Sequence, residues 1–212
     1  MRRLPVYLLI DTSGSMSGEP IEAVRNGVQN LVATLRKDPS ALEAAYLSVI
    51  TFSDSAQQVV PLTELLQFQI PLFSASGTTS MGAALSLLAD RVNQEVTKTT
   101  AEVKGDWKPL VFMMTDGQPT DDINLGIAAI KSAKIGNFIA CAAGPGATTK
   151  DLQRITESVV HLDTADASTI SAFFKWVSDS IATTSQKVDL TKKDVAGLSD
   201  LPPPPPEVNI VL

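Results

Sequence analysis

Short apolar runs alternating with segments of helical spacing constrain this chain more than any other feature of its sequence. The runs Val6 to Ile10, Tyr46 to Phe52, Gln58 to Pro61, Leu110 to Met114, Phe138 to Ala142 and Val159 to Leu162 are of strand length. Several are apolar at nearly every position, as a strand is when both of its faces are buried. Between them Ile21, Val24, Val28, Leu31, Val32 and Leu35 recur at three- and four-residue spacing behind Pro20, a favoured first-turn residue. Met81, Ala84, Leu85, Leu88 and Val92 form a second helical stripe, and Ile123, Ile127 and Ile130 a third. Ile170, Phe173, Phe174, Val177 and Ile181 form the broadest. Strand and helix in alternation predict an α/β fold, a doubly wound, mainly parallel sheet with helices on both faces. The turn Asp54-Ser55 and the proline closing the third run predict one antiparallel edge strand there.

With 212 residues, 44% of them hydrophobic, the chain supports one sizeable core. The expected organisation is a domain over residues 1–184 and a tail over residues 185–212, where polar residues give way to Pro202 to Pro206 and an apolar end. Five consecutive prolines favour polyproline II and cannot continue a helix. The tail is either a loose terminus or docks its last apolar residues on a partner or on the domain. A net charge of −6 argues against general nucleic-acid or anionic-membrane binding, which usually relies on a basic surface. Met1-Arg2-Arg3 before an apolar run resembles a signal peptide, but the run stops at Asp11 without a small-residue cleavage site. No stretch approaches the ~20 apolar residues of a membrane span, so a cytoplasmic location is expected. The single cysteine, Cys141, lies in an apolar run and reads as a core thiol.

The first strand ends by delivering Asp11-Thr12-Ser13-Gly14-Ser15. In extended chain Asp11, Ser13 and Ser15 share one side, so a carboxylate and two hydroxyls converge. Such hard oxygen donors suit Mg²⁺, Mn²⁺ or Ca²⁺ better than zinc, and Mg²⁺ takes about six oxygens at ~2.1 Å. The fourth run also ends at an acid, in Met113-Met114-Thr115-Asp116-Gly117, and a hydroxyl-rich loop, Gly77-Thr78-Thr79-Ser80-Met81-Gly82, precedes the second helical stripe. Ligands of open α/β sheets bind beyond the carboxyl ends of the strands, especially where strand order reverses.

In chain order Asp11-x-Ser13-x-Ser15, the Gly77-Thr78-Thr79 loop and Thr115-Asp116-Gly117 resemble the metal-ion-dependent adhesion site of von Willebrand factor A domains, and the resemblance runs to about Ser185. Arg2-Arg3-Leu4-Pro5-Val6-Tyr7 and Asp116-Gly117-Gln118-Pro119-Thr120-Asp121-Asp122 look most like the bacterial TerY-type proteins of tellurium-resistance clusters. The resemblance implies a Rossmann-like fold in which Ser13 and Ser15 ligate a Mg²⁺ ion directly, and Asp11 and Asp116 directly or through water. A loop threonine is the fifth ligand. Thr78 and Thr79 both qualify, and Thr79, three residues before Gly82, matches the family spacing. The coordination position left open takes a Glu or Asp from a partner protein. The TerY type further implies a tellurite or stress response, with a protein kinase and a PP2C-type phosphatase as partners.

Other readings compete with a non-enzymatic binding module. Asp11 to Ser15 alone also suits a capping turn before a helix. A metal-assisted phosphotransferase or phosphatase would use Asp11 as nucleophile, but usually needs a second acid where Ser13 stands. The one histidine, His161, lies in an apolar run and reads as a core or sheet-edge residue without catalytic geometry. Gly144 to Lys150 lacks the ending of a phosphate loop and reads as a turn. Trp176 lies off its helix stripe, either partly buried or as an aromatic for a partner, and a scaffold binding through Trp176 or the tail is the remaining alternative.

Overall fold

All six apolar runs form strands. The computed structural model describes residues 2–191 and 197–211, so Met1, residues 192–196 of the expected tail, and Leu212 lie outside the described residues. β1 (Leu4–Asp11) is buried throughout and pairs in parallel with β2 (Ala45–Phe52) and β4 (Leu110–Thr115). Successive strand residues point to opposite faces, so β1 divides its side chains between two cores. Leu4, Val6, Leu8 and Ile10 enter one, Tyr7 and Leu9 the other. β5 (Asn137–Ala143) and β6 (Ser158–Leu162) continue the parallel array beyond β4.

β3 (Ala56–Glu64) lies antiparallel to β2 at one edge, as the turn at Asp54-Ser55 predicts. It outruns the expected Gln58 to Pro61 because none of its side chains is fully buried, alternating between half-buried and exposed as far as Pro61, which leaves only a weak apolar signal at its ends. Among the described residues the strand order is β3-β2-β1-β4-β5-β6-β7, where β7 (Asn209–Ile210) pairs antiparallel with β6 at the other edge. Strand order therefore reverses between β1 and β4.

α1 (Glu19–Leu35), α2 (Pro39–Ala44) and α6 (Ala167–Thr191) bury residues in the core on the Val6 side of the sheet. α3 (Met81–Glu95), α4 (Asn124–Ser132) and α5 (Thr149–Ile155) cover the Leu9 side. α2 and α5 are too short to show a periodic stripe. α2 starts behind Asp38, whose carboxylate accepts the Ala41 N–H at 2.8 Å. α5 opens at the end of the segment read as a turn. α1 and α6 touch so closely at Gly27 that a methyl group there would lie 2.4 Å from Phe174 Cδ2.

The largest difference from the sequence expectation is at the C-terminus. α6 runs through Ser185, where the tail is expected to begin, to Thr191. Residues 197–211 lie back on the domain, the docking that sequence leaves as one of two outcomes. Leu201 and Val208 are buried in the first core, and the Val211 N–H donates to Val159 O at 2.9 Å. Trp176 is only 2% exposed, and its indole N–H donates to Pro202 O at 2.8 Å. Cys141 is buried, and burial pushes its thiol up. His161 is half-buried in β6 with Nδ1 3.5 Å from Asp163. Among the described residues no helix is long and apolar enough to cross a membrane.

Candidate metal centre

β1 and β4 end side by side where strand order reverses, and the loops leaving their ends converge. The Asp11 carboxylate is fully buried. Its Oδ1 accepts the Ser13 N–H at 2.7 Å and its Oδ2 accepts the Thr115 hydroxyl at 2.5 Å. The first bond folds the chain into the turn that brings Ser13 and Ser15 together, with their Oγ atoms 3.0 Å apart. The Ser15 hydroxyl donates to Asp116 Oδ1 at 2.6 Å, joining the two strand-end motifs.

Thr79 belongs to the same cluster. A methyl group at Gly117 would lie 3.5 Å from the Thr79 hydroxyl oxygen and 3.9 Å from that of Ser15, so both hydroxyls flank one glycine. Thr79 is 5% exposed, whereas Thr78 is exposed, and both its N–H and its hydroxyl donate to Asp54 Oδ1 at 2.9 and 3.0 Å. The loop holds this shape because Gly77 adopts φ +76°, a left-handed conformation most side chains avoid, and its carbonyl accepts the Gly14 N–H. Thr120, in the loop after β4, brackets Thr79 from the other side. Its hydroxyl accepts the Thr79 N–H at 3.0 Å, and its own N–H donates to Thr79 O at 2.9 Å. Asp121 then accepts the Gly82 and Ala83 N–H groups, both at 2.9 Å, at the start of α3.

Thus Asp11, Ser13, Ser15, Thr79 and Asp116 gather in one crevice, while Thr78 is tied to Asp54. Sequence reasoning does not give the supporting contacts of Thr115, Asp54, Thr120 and Asp121, although Thr115, Thr120 and Asp121 stand in the stretches that carry the resemblance. Thr115 left a signal as the lone hydroxyl at the end of an apolar run, and Asp121 as one of the acids in the stretch from Asp116 to Asp122. Asp54 and Thr120 act through contacts across the loops, which no local pattern encodes.

Burial raises the Asp11 carboxyl, opposed by its bonds from Ser13 and Thr115, and the Asp116 charge adds to the rise. Asp116 is raised for the same first cause, opposed by the Ser15 hydroxyl. Two carboxylates crowded in a partly desolvated crevice favour either a proton or a cation between them. Among the described residues no group of three or more His, Cys, Asp or Glu side chains is placed to hold a metal. The donors here are two carboxylates and three hydroxyls, a hard-oxygen set that fits Mg²⁺, Mn²⁺ or Ca²⁺.

Comparison with known proteins agrees with this architecture. The von Willebrand factor type A domain family matches residues 6–176. A curated relative, the uncharacterized protein sll0103 of Synechocystis sp., is 30% identical over 124 residues, which are 55% of this chain and 26% of that protein. The von Willebrand factor type A structure from Catenulispora acidiphila superposes with a TM-score of 0.64 at 17% identity, covering 86% of this chain and 43% of that one. The mussel byssus proximal thread matrix protein 1, solved with a zinc-occupied MIDAS motif, gives 0.61 at 21% identity, over 84% of this chain and 48% of its own. The pilus adhesin SpaC of Lactobacillus rhamnosus GG gives 0.64 at 17%, over 86% and 31%. The chain thus matches about a quarter of this curated relative and less than half of each of these three solved structures. With the family match running from within β1 into α6, this chain belongs to the von Willebrand factor type A domain family.

Proposed function

We propose that this chain is a non-enzymatic protein-binding module that grips a carboxylate of its partner through a divalent ion. Domains of this family commonly bind metal and mediate protein–protein interactions. The carrying observation is the convergence of two carboxylates and three hydroxyls beyond the ends of β1 and β4. In this reading Ser13, Ser15 and Thr79 ligate Mg²⁺, with Asp11 and Asp116 binding directly or through water. Mn²⁺ or Ca²⁺ fits the same donors, and the zinc of the mussel protein supports divalent occupancy. Five protein groups leave one of about six Mg²⁺ positions for a Glu or Asp of another protein. The ion's charge makes that contact charge-assisted.

Asp11 suits this role better than that of a phosphoryl-accepting nucleophile, because it is fully buried and both its oxygens already accept hydrogen bonds. A scaffold acting through Trp176 is less favoured, since that indole is covered by the chain's own Pro202 segment. On the TerY resemblance we place the module in the cytoplasm, in a tellurite or stress response with a kinase and a PP2C-type phosphatase as partners. Calorimetric titration with Mg²⁺ tests the site: the wild type binds one ion and Asp116→Ala does not. Affinity capture from extract in Mg²⁺ tests the function, with recovery expected to disappear in EDTA and with Asp116→Ala. No ion uptake, or capture indifferent to both changes, overturns the reading.

A further inference from the structure

The amino ends of β1 and β4, opposite the metal centre, frame a second feature. A cavity of about 350 Å³ lies among α3, the segment after it and the end of α4, and Arg2, Lys98, Lys108 and Lys134 line it. In a chain of net charge −6 with 17 basic side chains, four around one cavity is a local reversal of sign. The carboxylate that lines it, Asp106, is engaged elsewhere. It accepts Arg3 Nε at 3.0 Å, Arg3 Nη2 at 2.5 Å and the Thr97 N–H at 2.7 Å.

Arg2 is held in place. Its guanidinium carbon sits 3.5 Å from the Trp107 ring centroid, and Nε and Nη2 donate to Gly105 O at 2.6 Å and Asp106 O at 3.1 Å. A guanidinium carries five N–H donors, so these two bonds do not exhaust it. Like charges around one cavity repel, and a multivalent anion turns that repulsion into attraction. The volume falls within the range of about 300–1,000 Å³ typical of small-molecule sites.

We infer that this cavity binds a small phosphate-bearing anion, with Arg2 as its fixed cation and Lys98, Lys108 and Lys134 completing its basic lining. The site is independent of the metal centre and of the function proposed for it. Calorimetry on the full chain in EDTA, with inorganic pyrophosphate and separately with ADP, tests it. One-site binding is expected for both probes. Tighter binding of ADP assigns a nucleotide-like ligand, and equal affinities assign the phosphates alone. The double variant Lys98→Glu/Lys134→Glu is expected to weaken binding at least tenfold. Asp116→Ala at the metal centre, and Lys37→Glu on a lysine outside the cavity, are expected to change it less than twofold. Absence of binding by either probe, a double variant equal to wild type, or an equal loss from Lys37→Glu overturns the inference.

Discussion

At the scale of the residue, the proposed site makes Asp11 and Asp116 the groups at which proton and metal would compete. Burial raises both carboxyls above the ordinary carboxylate range of about 4. A raised carboxyl binds its proton more tightly in the folded chain than in the unfolded one. Without metal, the folded chain therefore gains stability as pH falls through the raised values toward the unfolded ones. A cation reverses this dependence, because it requires both groups ionised. The expected stabilisation by Mg²⁺, about 2.7 kcal/mol at a hundredfold excess over Kd, would then be fully present above the raised values and lost as pH falls through them. Melting temperatures with Mg²⁺ and with EDTA are expected to converge on acidification, and to coincide at every pH in Asp11→Asn/Asp116→Asn. Neighbouring threonines separate equally well. Thr79→Ala is expected to weaken Mg²⁺ at least about tenfold, as loss of even an outer-shell partner does. Thr78→Ala, which removes the hydroxyl bond to Asp54 and keeps the N–H one, stays within about 0.5 kcal/mol, or roughly twofold, by the same calorimetry.

At the scale of the element, legibility follows burial on two sides. β1, β4 and β5 are buried at every position, so their apolar runs announce them. α1, α3 and α6 are long enough for a stripe to repeat, whereas α2 and α5 each span less than two turns. β7 pairs only two residues, both exposed, so the apolar end of the chain is too short a signal to mark it as a strand. The candidate ligands are legible because they come directly after strand ends in the chain. The contacts that orient them, from Thr115, Asp54 and Thr120, join positions far apart in the chain. Gly27 hides in the same way, since a glycine within a helical stripe looks like a weakness until Phe174 is seen against it. Gly27→Ala forces that ring or the whole of α6 outward, and an overpacking cost of about 1–3 kcal/mol is expected in urea denaturation. The compensating variant Gly27→Ala/Phe174→Leu is expected to recover part of that loss.

At the scale of the molecule, the chain closes on itself through the segment that most resembles a loose end. α6 packs along α1, and the proline-rich stretch then crosses Trp176 and places β7 on the exposed edge of β6. Such closure buries apolar surface and protects a strand edge that otherwise templates association. Leu201 and Val208 contribute about 1.5–3 kcal/mol each for a fully buried side chain. The cover that Pro202 places over Trp176 adds to this. Deleting residues 198–212 is therefore expected to lower unfolding free energy by about 2–4 kcal/mol on the large-to-small core scale. It is also expected to expose Trp176, seen as a red-shifted emission, and to promote self-association in sedimentation. The candidate metal crevice lies beyond the ends of β1 and β4, away from this strap, so Mg²⁺ affinity measured below the new melting temperature is expected to be unchanged. Unaltered stability together with unaltered tryptophan emission would show that the strap does not hold the fold, and a parallel loss of Mg²⁺ binding would show that the crevice depends on it.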